Sequence, residues 1–186
     1  RCHGAGLRAA VPGRTPPVGP GPCRVLYARC FGPPPQGRLL RKEQLLAVAR
    51  QVASHCHLQQ ASSGRPAALT LPEDPAPLHT APGGLFQLPP GDPFPGRVTV
   101  TWLAATAVAF ALVCEPHENL ALAEVALRLL ATRLMAVLRP PGPAVLLRPD
   151  AADLLLDRLL PHGQLLFLSQ NFLQALERDG ARRAAR

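Results

Sequence analysis

The sequence predicts an α+β domain in which an antiparallel sheet is covered by helices. Three observations predict it: a long amphipathic period at 38–58, two adjacent β-rich runs at 97–103 and 107–113, and two further helical periods at 118–138 and 150–160, each stopped by proline. Strands joined by a short turn pair antiparallel, and amphipathic helices supply the faces that cover them. The chain has 186 residues, which is the size of one domain with a real core.

Residues 1–22 carry Pro12, Pro16, Pro17, Pro20 and Pro22 among glycines and show no sustained apolar period. A disordered Pro/Gly/Arg-rich N-terminus is expected there. Arg24 to Phe31 alternates and is rich in β-formers, so it reads as a strand, ended by Pro33, Pro34 and Pro35. Over 38–58, Leu45, Val48, Ala49, Val52 and Cys56 recur at spacings of three and four, one face of a helix. Arg38, Arg41, Lys42 and Arg50 fall mostly outside that stripe and point to solvent or to a partner, a solvated face being the simpler reading.

Residues 61–96 hold nine prolines and five glycines, so this is a Pro-rich loop with one short strand at 84–88. In 97–103, Val98, Val100 and Trp102 alternate with Thr99 and Thr101, and 107–113 is uniformly apolar, which together read as a hairpin with a buried second strand. The charge-free stretch 98–114 is seventeen residues long, short for a membrane span, and its Val and Thr content suits two strands.

The next helix runs over 118–138, its apolar face built from Leu120, Val125 or Ala126, Leu127, Leu130, Leu134 and Leu138. Glu115, Glu118 and Glu124 lie early and Arg128, Arg133 and Arg139 late, the order the helix dipole favours. Asp150 is the N-cap candidate of a helix that Pro161-His162-Gly163 ends at Leu160. An apolar run at 164–168 and an amphipathic turn or two at 169–177 follow, before a frayed tail. The folded domain is thus expected over 23–178, with 1–22 and 179–186 outside it.

Charge is unevenly placed. The net charge is +8, yet residues 1–65 hold ten basic residues against one acid, Glu43, while 66–186 are close to neutral. All basic residues but Lys42 are arginine, so the excess is a weak pointer to a polyanionic partner. Five cysteines in no tight pairing (Cys2, Cys23, Cys30, Cys56, Cys114) do not make the disulfide framework of a small secreted domain, and a reducing compartment fits better.

Catalytic chemistry is not written in the chain. There is no G-x-S-x-G, no phosphate-cradling glycine loop before Lys42, and no metal-ligand spacing. His55-Cys56-His57 places Cys56 on the apolar stripe and the two imidazoles to either side, which reads as a buried thiol between surface histidines. His117 and His162 read as cap and turn residues. Arg24, Tyr27, Arg29 and Phe31 form the one local basic–aromatic pattern of the kind that grips nucleic acid.

Four blocks carry a resemblance: CRVLYARCFG at 23–32, LLRKEQLLAVARQVASHCHLQQ at 39–60, HENLALAEVALRLLATRL at 117–134 and LLPHGQLLFLSQNFLQALE at 159–177. They resemble the small, or sigma, subunits of the fifth adaptor-protein complex. The resemblance implies a longin-like fold, a five-stranded antiparallel sheet flanked by helices, with no enzymatic activity, cofactor or metal. It implies the small subunit of a heterotetrameric coat-like complex in endosomal and lysosomal vesicle-mediated protein transport, peripheral on the cytosolic face of late endosomes and lysosomes. The partners it implies are the large zeta and beta subunits, the medium mu subunit, and spatacsin and spastizin. Clathrin is not expected and nucleic acid is not favoured.

Two departures qualify the resemblance. The family's first strand is apolar and lies in the middle of the sheet, whereas residues 1–22 are rich in Gly, Pro and Arg. The central strand is therefore expected to be missing or replaced, which would leave backbone groups unpaired on its neighbours and favour a different natural N-terminus. Sigma subunits of better-known complexes also help read acidic dileucine signals beside the long helix. Arg128 stands here where that surface carries a smaller polar residue, so dileucine recognition is not expected. The candidate partner-facing residues are Arg38, Arg41, Lys42, Arg50 and Arg128. The second reading is a basic nucleic-acid-associated protein, for example one linked to DNA repair, acting through the N-terminal third. Steep salt dependence separates it from an apolar subunit interface.

Overall fold

The computed structural model describes residues 4–9, 24–31, 37–62, 78, 80–105, 108–137, 148–166, 174 and 178. In chain order the elements are strands β1 (Gly4–Ala9) and β2 (Arg24–Arg29), helix α1 (Arg38–Ser62), strands β3 (Gly83–Leu88), β4 (Val98–Ala105) and β5 (Val108–Cys114), and helices α2 (Leu120–Val137) and α3 (Pro149–Leu159). A 3-10 turn, Pro161–Gly163, closes α3. The strands form a five-stranded sheet in the order β2-β1-β5-β4-β3, with every neighbouring pair antiparallel.

The first correction to the sequence reading lies in the middle of that sheet. The central strand is present: Gly4–Ala9 pairs with β5 from Gly4↔Val113 to Ala9↔Val108, and with β2 from Ala5↔Arg29 to Ala9↔Arg24. All five prolines of the N-terminal stretch lie at position 12 or later, so a composition averaged over 1–22 hides a proline-free run at its start. Ladder pairing uses backbone groups, and a Gly/Ala-rich strand can supply them without an apolar period. The argument for a different N-terminus from a missing strand loses its premise. The remainder of the predicted disordered stretch, 1–3 and 10–22, lies outside the described residues.

The hairpin expected at 97–113 forms, and β4 and β5 are the buried middle of the fold. Alternation sorts their side chains onto two faces. Val98, Val100 and Trp102 of β4 join Ala109, Ala111 and Val113 of β5 in a cluster beneath Val48 and Val52 of α1. Leu103, Ala105, Val108, Phe110, Leu112 and Cys114 join Ala123, Leu127, Leu130 and Leu134 of α2 and Leu156 and Leu159 of α3 on the other side. The sheet is covered on both faces, so Thr99 and Thr101 are buried as well as their valine neighbours. Their alternation with valine marks two dry faces.

The helices follow their apolar stripes. Val48, Ala49, Val52 and Ala53 are the buried residues of α1, and on α2 the choice between Val125 and Ala126 falls to Ala126, with Val125 exposed. Asn119 starts α2: its Oδ1 accepts from the Leu122 N–H at 3.1 Å, capping an amide the helix cannot bond internally. Asp150, expected to cap the last helix, sits instead in the first turn of α3, where Pro149 occupies the first helical positions and Arg148 the cap without a side-chain bond. A carboxylate there still favours the positive end of the helix. His162 (φ 53°) and Gly163 (φ 75°) turn the chain out of α3 through left-handed backbone, the reason a glycine stands there.

Two details fix the β3 edge. A Cβ on Gly83 would lie 2.5 Å from the Trp102 carbonyl oxygen, so only glycine lets β3 approach β4 at that point. In the Pro-rich loop, the Gly91 N–H donates to the Phe94 carbonyl at 2.7 Å, and the resulting turn drops Phe94 into the cluster under α1. No helix among the described residues is long and apolar enough to cross a membrane. Of the apolar run expected at 164–168, residues 164–166 are described and extend without regular structure, and of the turns expected at 169–177 only Gln174 lies within the described residues.

Leu112 is fully buried at the centre of the α2/α3 face. Leu112→Ala should cost about 2–5 kcal/mol of stability, read from the urea midpoint at constant m-value, whereas Val125→Ala on the exposed side of α2 should change it by less than about 0.5 kcal/mol.

Candidate interaction surface

With its two sheet faces covered by its own helices, the domain has its outer helix flanks and sheet edges left to meet other molecules. Helix α1 is the longest element, and side-chain bonds orient it about its axis. Gln44 donates to the Pro93 carbonyl at 3.0 Å and Gln59 donates to the Gly83 carbonyl at 3.3 Å. His55 stacks on Phe86 of β3 with ring centroids 4.8 Å apart and planes 15° apart, and lies 6.1 Å from Trp102. One flank of α1 is thereby seated on β3 and the loop that follows it.

That orientation corrects the reading of the His-Cys-His cluster. His55 is a half-buried stacking partner, Cys56 packs on the cluster beneath α1, and of the two imidazoles only His57 is exposed. Among the described residues no group of His, Cys, Asp and Glu side chains is arranged to hold a metal ion. Cys30, Cys56 and Cys114 are thiols, none of them in a disulfide.

The five residues expected to face a partner separate into three situations. Arg38, Lys42 and Arg50 are exposed. At about 100° per residue, Lys42 and Arg50 fall on the flank opposite Gln44, His55 and Gln59, in a row that also carries exposed Leu39, half-buried Leu46 and exposed His57. Arg41 turns toward the seated flank and is half-buried. None of these four cations has an ion pair or side-chain hydrogen bond among the described residues. The first turn of α1 contains no acid, and cations at a helix N-terminus oppose the dipole, each at a cost on the order of 0.3–1 kcal/mol. The dipole therefore does not explain Arg38 and Arg41 in that first turn.

Arg128 is a strut. Its Nη1 donates to the Leu78 carbonyl at 2.9 Å, and its Nε and Nη2 donate to Glu124 Oε1 at 3.3 and 3.0 Å. Helix α2 is thus tied to the chain entering β3, and the guanidinium is engaged within the subunit. This engagement was not legible in the sequence, since Leu78 lies fifty residues away.

The local basic–aromatic pattern is also taken up internally. Tyr27 OH donates to Asp153 Oδ1, Arg29 Nη1 donates to the same oxygen and to the Asp153 carbonyl, each at 3.0 Å, and Arg29 Nη2 donates to Asp157. The guanidinium also lies 5.4 Å over the Phe31 ring, and Phe31 itself is buried. Tyr27 and Arg29 brace the edge strand β2 against α3, so the local basic–aromatic pattern is engaged within the subunit. Burial, then the bond to and the charge of Asp153, push the Tyr27 hydroxyl far above its ordinary pKa. For Arg29, burial disfavours the charge, but Asp157 and Asp153 outweigh it and its pKa ends above the ordinary value.

Comparison with known proteins bears on which family builds such a surface. The sequence profile described as AP-5 complex subunit sigma-1 matches residues 17–179. The chain belongs to this family of AP-5 sigma-1 subunits. It is 50% identical over 175 residues to AP-5 complex subunit sigma-1 of Homo sapiens, covering 86% of this chain and 88% of that protein. It is 49% identical over 139 residues to AP-5 complex subunit sigma-1 of Mus musculus, covering 67% and 82% respectively. The α+β architecture with an antiparallel sheet between helices is that of a longin-like small adaptor subunit, as the resemblance of the four sequence blocks implied. The profile match begins downstream of β1, so the central strand is a structural observation in its own right.

The Tyr27 brace has a pH signature. A hydroxyl whose folded pKa is raised contributes its full stability below the unfolded value, about 10, and loses it as pH rises beyond that. Stability of the unsubstituted chain should fall between about pH 9 and pH 11 more steeply than that of Tyr27→Phe, which has no proton to lose there; urea unfolding at a series of pH values reads the difference.

Proposed function

We propose that this chain is a non-enzymatic small subunit of an adaptor-protein complex of the AP-5 type, acting in endosomal and lysosomal vesicle-mediated protein transport. Membership of the sigma-1 family over 17–179 carries the reading. A domain whose sheet is already covered on both faces supports it, because such a body presents outer helix flanks and edges to neighbouring subunits. The partners are the large zeta and beta subunits and the medium mu subunit, with spatacsin and spastizin associated, and without clathrin. The chain reaches late endosomes and lysosomes as a peripheral member of that complex.

A nucleic-acid role through the N-terminal third is disfavoured by the commitment of Tyr27 and Arg29 to α3.

Affinity purification of the tagged full chain from cell lysate, followed by a high-salt wash and mass spectrometry, tests the proposal. Two large subunits and one medium subunit should survive the wash, since a largely apolar interface keeps its affinity in salt while phosphate contacts lose theirs steeply. Recovery of nucleic acid or histones alone, released by salt, would overturn it.

A further inference from the structure

We propose that the free edge of β3 pairs antiparallel with β3 of a second copy of this chain, joining two sheets across a two-fold axis. The inference goes beyond the adaptor reading and does not depend on it. β3 is an edge strand without a charged residue. The Ala104 N–H donates to the Pro82 carbonyl at 2.7 Å, which fixes the alternation of the ladder: Gly84, Phe86 and Leu88 bond to β4, while the backbone groups of Gly83, Leu85 and Gln87 face away from it. Gln59 agrees with this direction, since it donates to the outward carbonyl of Gly83 at 3.3 Å. The outward groups of Leu85 and Gln87 have no partner among the described residues, and both residues are exposed, Leu85 by 55%.

The strand is its own complement. An open row of backbone donors and acceptors is satisfied by another extended backbone. With Phe86 opposite Phe86 of the second copy, Leu85 of each copy faces Gln87 of the other, and each such pair exchanges both of its ladder bonds. In that register Pro89 stands opposite Gly83, and proline has no N–H to bring to the carbonyl that Gln59 already holds. A strand of unrelated sequence would bring an N–H to that occupied carbonyl. The two Phe86 rings come side by side, each backed by its own His55. Charge permits the approach. The chain as a whole carries +8, yet α1 from Gln51 to Ser62, the half that reaches β3 through His55 and Gln59, holds no Asp, Glu, Lys or Arg. Pro82 and Pro89 bound the ladder, so the dimer is weak and depends on concentration.

Sedimentation equilibrium of the full chain tests the proposal, and the dimer fraction should rise with concentration. Gln87→Pro removes an outward N–H that β4 does not use, so it should raise the dimer dissociation constant by about thirtyfold, one hydrogen bond being lost from each copy. Two double variants keep the test independent of any effect of proline on folding. Leu85→Lys with Gln87→Lys sets like charges opposite each other across the axis and should weaken the dimer by at least about tenfold. Leu85→Lys with Gln87→Glu sets opposite charges there, leaves the net charge unchanged, and should restore the dimer to within about threefold of the unsubstituted chain. A chain that stays monomeric up to about 1 mM overturns the proposal, the edge then being left to water or to a strand of another protein. A dimer indifferent to the like-charged variant overturns it as well, because its contact lies elsewhere. Equal weakening by both double variants overturns the two-fold register and the proposal with it.

Discussion

The pairing of Gly4–Ala9 on both sides is the interaction on which the rest of the sheet depends. Within the sheet, β1 joins β2 to the β5-β4-β3 meander. Its ladder with β5 extends over six positions, and its ladder with β2 takes one irregularity between Leu7 and Arg8, where Leu26 adds a residue on β2. Without it, the half-buried β2 and the buried β5 would each lose a row of partners, and an unpaired backbone group removed from water costs about 1–3 kcal/mol. A short run of glycine and alanine meets this demand with backbone alone.

Around that strand the fold is stabilised in two different ways. On the β4/β5 side, packing does the work: both faces of two apolar strands are dry, α1 covers one and α2 with α3 the other. On the β2 side, the brace is polar. Tyr27 and Arg29 reach Asp153 and Asp157, so the edge strand is fastened to α3 by charge-assisted hydrogen bonds as well as by Phe31 in the core. The same economy of internal partners explains the surface. Arg128 and Arg29 are consumed within the subunit, and Arg38, Lys42 and Arg50 stand out because they are not.

How much of this was legible in the sequence follows from the range of each interaction. The stripe of Val48, Ala49 and Val52, the hairpin at 98–114 and the face of α2 are short-range periodic signals, and they read correctly. β1 was hidden because its neighbours in sequence are prolines while its neighbours in space are β2 and β5. Phe94 reads as part of a Pro-rich loop, and only the turn at Gly91 brings it beneath α1. The Tyr27–Asp153 bond joins residues 126 positions apart, beyond any local pattern. Among the candidate partner-facing residues, Arg38, Arg41, Lys42 and Arg50 were visible in the sequence as charges along the α1 period. The half-burial of Arg41, against the exposure of Arg38, Lys42 and Arg50, needed the packing of α1, and the strut role of Arg128 needed Leu78.

The measurement that bears most directly on this account is native-state hydrogen exchange of the full chain, followed residue by residue. If β1 is the central strand, its amides are paired on alternating sides to β2 and β5, and residues 5–9 should exchange as slowly as those of 109–113, opening only with global unfolding. Exchange of 5–9 at the rate of an unfolded peptide, beside a protected β5, would contradict the account at its centre.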